Sequence, residues 1–155
     1  MIYFSEMTLT HFGKFENWSQ KLTDGLTVLY GENEAGKSTI QLFFKVMLYG
    51  VSGSKKDERG VKERERMIPW DQKYAEGTLK LIADGREITV WRRFGKTAAG
   101  DKTLIMDAAT GEKLMEYDEK NFGEQIFHVP EQIFEKTFWL RQGGADIGGA
   151  DGEIS

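Results

Sequence analysis

Leu26-Thr27-Val28-Leu29-Tyr30-Gly31-Glu32-Asn33-Glu34-Ala35-Gly36-Lys37-Ser38-Thr39 decides how the rest of the chain is read. Gly31 to Ser38 fills G-x-x-x-x-G-K-[ST] without a mismatch, the pattern of a P-loop. Such a loop turns its backbone N–H groups, and the N-terminus of the helix behind it, toward a polyphosphate. Lys37 can reach the outer phosphates and the Ser38 hydroxyl can hold Mg²⁺. The flanks agree with the loop. Leu26–Tyr30 is short, apolar and β-prone, as a buried strand should be. Ile40, Phe43, Phe44, Met47 and Leu48 then recur at i, i+3, i+4, i+7 and i+8, one face of a helix over 37–49. Gly50 stands where a C-cap glycine is expected.

Composition narrows the rest. With 155 residues, 39% hydrophobic and 12% aromatic, the chain can build one globular core. It has no cysteine and two separated histidines, His11 and His128, which disfavours disulfides, thiolate metal sites and a His-rich metal site. No run approaches the ~18 apolar residues of a membrane span, and the start lacks the form of a signal peptide. A cytoplasmic protein with no membrane partner is expected. A net charge of −4 excludes a chain that is basic throughout, so any nucleic-acid contact needs a local patch.

Along the chain, residues 1–30 read as strands and turns, and 55–66 as a mobile, solvated loop of mixed charge, the alternative being a basic loop near nucleotide or DNA phosphates, which its interspersed acids weaken. Residues 77–115 read as a β-meander. Asp84-Gly85 is a two-residue hairpin turn between Thr78–Ala83 and Arg86–Arg93. Leu79, Leu81 and Ala83 share one face, as do Ile88 and Val90. Thr103–Asp107 and a segment after Gly111 form a second hairpin. Trp91-Arg92-Arg93 could join a phosphate-facing patch, but paired arginines on a strand read first as a solvated edge. Residues 117–136 turn helical, with Asp118 as a cap and Pro130 opening a second piece. Thr137–Arg141 is β-prone and ends at Gln142. The Gly-rich stretch 143–155 is expected to be poorly ordered.

Three blocks in order carry a family resemblance: Leu9-Thr10-His11-Phe12-Gly13-Lys14-Phe15, then Gly25 to Thr39 with the P-loop, then Phe138-Trp139-Leu140-Arg141-Gln142. Together they resemble the N-terminal half of an ABC-type ATPase head of the SMC, RecF, RecN and SbcC group. The P-loop wording Gly-Glu-Asn-Glu-Ala-Gly-Lys-Ser-Thr is most similar to YhaN-like AAA proteins, as are Arg66 to Leu79 with Pro69-Trp70 and Tyr74, and Arg92-Arg93-Phe94. The resemblance spans 1–142. It implies an α/β P-loop NTPase half-domain, with a partly parallel central sheet and an added antiparallel β-subdomain. It implies ATP and Mg²⁺ as ligands. Asn33, Glu34, Ala35, Gly36, Lys37, Ser38 and Thr39 would bind the phosphates, with Lys14 beside them and Ser38 on Mg²⁺. Gln142 would be the Q-loop glutamine on Mg²⁺ and the attacking water, and Lys37 and Gln142 would serve catalysis. His11 is read as structural.

The resemblance also implies parts that this stretch does not contain: a Walker B strand ending in Asp-Glu, a Ser-Gly-Gly signature and a switch histidine. Leu104-Ile105-Met106-Asp107 is the nearest mimic of Walker B, but Ala108 follows where the catalytic Glu should stand. The expectation is therefore a first lobe, with 143–155 leading to a coiled coil and a C-terminal lobe. It would be inactive alone and complete only with that lobe and a second head, in a homodimer acting on DNA with a nuclease subunit in DNA repair or chromosome maintenance. Two other readings stay open: a small P-loop kinase with Asp107 as its Mg²⁺ carboxylate, and a non-hydrolysing module that dimerises on ATP.

Overall fold

The computed structural model describes residues 2–22, 34–51, 56 and 60–134. Strands β1 (Ile2–Phe12), β2 (Phe15–Lys21), β3 (Ala75–Ala83), β4 (Arg86–Phe94) and β5 (Lys102–Asp107) form one sheet, in the order β2-β1-β3-β4-β5. Helices α1 (Glu34–Tyr49), α2 (Glu63–Met67) and α3 (Phe122–Phe127) complete the described elements. Every strand ladder among the described residues is antiparallel. Leu26–Tyr30, the strand expected beneath the P-loop, lies outside those residues, as do the Thr137–Arg141 strand and the 143–155 tail.

The meander joins the N-terminal strands: β3 pairs with β1 from Ile2↔Ala83 to His11↔Glu76, so the hairpins and those strands share one antiparallel sheet. The hairpin turn falls on Asp84-Gly85 with φ of +53° and +84°, the positive pair that a type I′ turn requires and that Asp-Gly tolerates. The second hairpin closes with the Met106↔Lys113 bridge and the Leu114 N–H donating to Ile105 O at 2.9 Å. Asp107 caps its turn, accepting from the N–H groups of Ala109 and Thr110.

Side-chain alternation divides the sheet. Met7 and Leu9, Ala75 to Leu81 at odd positions, Ile88, Val90 and Phe94, and Ile105 are all buried. The registers Met7↔Leu79, Leu79↔Val90 and Val90↔Ile105 put them on one face. Helix α1 packs there. Phe44 packs on Phe4 with tilted rings at 4.9 Å and Phe43 meets Phe12 edge-on at 5.3 Å. Gly77 lets the helix come close, since a Cβ there would stand 2.4 Å from the Phe43 ring. The sequence stripe is all buried, but so are Leu42, Lys45 and Val46. A helix buried all round belongs inside the fold, not on its surface. Sixteen residues form only a marginal helix alone. Burying Phe43, Phe44, Met47 and Leu48 stabilises it by roughly 1.5–3 kcal/mol each as an upper bound.

The end of α1 is closed twice. Gly50, at φ +81°, donates its N–H to Val46 O at 2.9 Å, the expected C-cap. No basic residue lies in the last turn of α1 itself; Arg92 of β4 supplies the cation instead. Its Nε donates to Met47 O at 2.9 Å, Nη1 to Thr103 Oγ1 at 3.1 Å and Nη2 to Glu119 O at 2.7 Å. Arg92 is 4% exposed. This corrects the solvated-edge reading: β4 is an interior strand, and Arg92 points to the helix-covered face. Burial pushes its pKa down to about 10, against the pull of Glu119 and Asp101, so it stays charged at neutral pH. Cations favour helix C-termini.

The charged stretch also departs from a solvated loop at its end. Residues 63–67 form α2 because Glu65 accepts from the Lys62 N–H at 2.9 Å, and Glu63 finds a buried lysine. Downstream, Asn121 rather than Asp118 precedes α3; Asp118 braces that turn by accepting from the Lys120 N–H. The helical turn 131–134 does begin behind Pro130, whose carbonyl accepts from Ile133 and Phe134.

Arg92→Met should destabilise the fold by roughly 3 kcal/mol, because three acceptors lose a charged donor inside the protein. Chemical denaturation measures this; a cost below about 0.5 kcal/mol would contradict the anchoring role.

Candidate functional site at the N-terminus of the P-loop helix

Helix α1 starts at Glu34, so the last five residues of the P-loop sequence are already helical. The first N–H groups of a helix have no partner within it and carry the positive end of its dipole. That end is a ready receptor for phosphate. Ser38 is exposed, and its Oγ accepts from Arg66 Nη2 at 2.9 Å. Thr39 is half-buried beneath the β1–β2 turn. Gly13, in that turn at φ +60°, lies so close that a Cβ would stand 2.7 Å from Thr39 Cγ2. The Gly13 N–H donates to Met67 O at 2.6 Å, the last residue of α2.

Three segments thus converge: the hairpin turn, the first turns of α1 and the end of α2. Lys14 follows Gly13 in the turn and is exposed. The fold therefore brings the Lys14 turn, Ser38 and Thr39 together from distant parts of the sequence. Of the other expected site residues, Glu34, Ala35, Gly36 and Lys37 lie in the helical backbone of α1. Asn33 and Gln142 lie outside the described residues. His11, near the end of β1, has Nε2 at 3.9 Å from Glu76 Oε1.

Two residues were missed. Arg66 had no individual role in the reading of the charged stretch, yet its guanidinium reaches the Ser38 hydroxyl. Lys45 stands inside the apolar run of α1 and is 1% exposed. A lone lysine within a buried helix signals a carboxylate partner. Lys45 Nζ lies 2.7 Å from both Glu63 oxygens and 3.0 Å from Glu131 Oε2. On the other flank of α2, Arg64 makes a two-pronged pair with Asp101 at 2.8 Å and donates to Gly95 O at 2.8 Å. Those bonds to Asp101 raise the Arg64 pKa and hold it charged. Helix α2 is thereby fastened on both sides, with Arg66 directed at α1.

The sequence profile of the AAA domain family matches residues 6–146. The chain belongs to the AAA domain family. Members are AAA-type P-loop ATPases found in SMC-like proteins. The AAA domain implies a nucleotide-binding, ATPase-type function on an α/β P-loop fold. The family generally uses ATP and Mg²⁺ and often dimerises. A comparison with curated proteins returned no match. Among the described residues, no helix of this AAA domain is long and apolar enough to cross a membrane.

Gly13→Ala should cost more stability than Gly85→Ala. Both positions have positive φ, but a Cβ at Gly85 meets nothing within 4 Å, whereas at Gly13 it strikes Thr39. We expect about 1 kcal/mol at Gly85 and about 2–3 kcal/mol at Gly13. Equal shifts on thermal denaturation would show that the turn is not docked on α1.

Proposed function

We propose that this chain is the ATP-binding first lobe of a split ATPase head, with the nucleotide phosphates at the N-terminal end of α1. The observation that carries the reading is the convergence there of a complete P-loop sequence, an exposed Ser38 hydroxyl, the Lys14 turn and Arg66. Backbone N–H groups from Asn33 to Gly36 and the Lys37 ammonium cradle the phosphates, and Ser38 and Thr39 close the cradle. Lys14 and Arg66 add positive charge from either side. Ser38 and Gln142 are the proposed Mg²⁺ ligands. The fit is chemical: hydroxyl and amide oxygens are hard donors, and Mg²⁺ takes few protein ligands while keeping phosphate oxygens and waters. Ser38 Oγ accepts one hydrogen bond and retains a second lone pair for a cation. Bound Mg²⁺ would neutralise charge on the β- and γ-phosphate oxygens. Gln142 would orient the attacking water as a neutral amide, without adding charge.

We further assign the lobe, residues 1–142, to the SMC, RecF, RecN and SbcC group, most like YhaN-like proteins. Phosphoryl transfer needs the charge clamp, the Mg²⁺ ligands and the positioned water together. This stretch supplies the clamp, so a C-terminal lobe bearing Walker B and signature residues, and a second head, would complete the site. ATP would join two heads and hydrolysis would part them, acting through a coiled coil on DNA with a nuclease partner; the DNA role rests on the resemblance. The kinase alternative needs Asp107 free for Mg²⁺. Its carboxylate instead closes the 108–110 turn and lies 3.5 Å from Arg86 Nε, which favours the split head.

In the full-length protein, Lys37→Ala should weaken Mg-ATP binding roughly a hundredfold, the loss of one strong charge-assisted contact. Exposed Lys113→Ala should leave it unchanged. Fluorescent-nucleotide titration reads both, and equal affinity of Lys37→Ala and wild type would refute the site. The 155-residue chain alone should show no Mg-ATP turnover; turnover abolished by Lys37→Ala would overturn the first-lobe assignment.

A further inference from the structure

Lys45 is the only buried lysine among the described residues, and the nucleotide site as proposed makes no use of it. Its ammonium faces two carboxylates from different elements. Glu63 opens α2 and is 6% exposed; Glu131 opens the helical turn behind Pro130. Three parts of the fold therefore meet on one charge in the C-terminal half of α1.

The spacing gives this cluster a consequence for the site. Ser38 and Lys45 are seven residues apart, on one face of α1 and about two turns from each other. Glu63 and Arg66 are three residues apart, on one side of α2. The pairs Lys45–Glu63 and Ser38–Arg66 therefore fasten α2 along α1 at two points. The first is buried and bidentate at 2.7 Å. The second ends on an exposed hydroxyl. The buried contact is the stronger, since a charged pair screened from water holds its geometry far better than an exposed hydrogen bond.

We propose that Lys45 is a positioning residue for the nucleotide site: by clamping Glu63 it sets the rotation of α2 on α1 and so delivers the Arg66 guanidinium to the phosphate end of the helix. The inference rests on the reading of that end as the nucleotide site. Glu131, on the same ammonium, ties in the segment that leads toward Gln142. Lys45 touches no substrate; it acts through Arg66.

The test separates position from stability. In the full-length protein, Lys45→Met leaves two carboxylates without their cation inside the fold and should lower the Tm. The triple variant Lys45→Met/Glu63→Gln/Glu131→Gln removes the charges together, and neutral replacements of a whole buried ion cluster are commonly tolerated. Its Tm should return close to wild type, while its Mg-ATP affinity stays roughly tenfold weak, the size of one lost charge-assisted contact. Arg66→Ala should weaken wild type by a similar factor and add nothing to the triple variant. Wild-type affinity at restored Tm, or a fully additive Arg66→Ala loss, would overturn the proposal. Amide exchange at 63–67 gives a readout independent of nucleotide. It should speed up in the triple variant and, to a lesser degree, in the milder Glu131→Gln. If wild type binds no Mg-ATP, the nucleotide reading falls, and unchanged exchange at 63–67 would separately overturn the clamp.

Discussion

A helix buried from Leu42 to Leu48 must find a partner for every polar group it carries there, because water is not available to supply one. Helix α1 meets that constraint with two cations. Lys45, its own, is neutralised by Glu63 and Glu131. Arg92, borrowed from β4, takes the Met47 carbonyl near the C-terminal end, where Gly50 takes the Val46 carbonyl. Each solution fastens α1 to something else: to α2, to the turn behind Pro130, to the sheet and to the segment before α3. The helix is therefore fixed in rotation and along its axis.

That arrangement gives the two ends different roles. The C-terminal end is satisfied within the protein. The N-terminal end carries the P-loop sequence and meets the Lys14 turn, Arg66 and an exposed serine hydroxyl. A helix held this firmly would meet phosphate at its N-terminus with little ordering left to do. Gly13 and Gly77 serve the same arrangement by allowing backbone to approach Thr39 and Phe43 where a side chain would intrude.

Much of this was legible in the residues. The apolar stripe of α1, its C-cap glycine, the Asp84-Gly85 hairpin and the inward faces of β3 and β4 follow from periodicity and turn chemistry, which are local properties. Arg92 was misread because interior and edge strands look alike until pairing is known. Lys45 and α2 were missed for a related reason: a five-residue helix is stabilised by its contacts, and Glu63 finds Lys45 from 18 positions away. The continuity of the meander with β1 is likewise a long-range pairing that no local signal announces. The P-loop named the ligand class, but the contact of Arg66 with Ser38, 28 positions away, belongs to the fold and not to any local pattern.

Amide exchange of the protein with and without Mg-ATP is the sharpest probe of nucleotide binding at the N-terminus of α1. Exchange should slow on nucleotide addition at the start of α1, in the 12–15 turn and across 63–67, with little change in β4 and β5. Protection confined to the meander, or none at the α1 N-terminus under conditions where ATP is demonstrably bound, would contradict it.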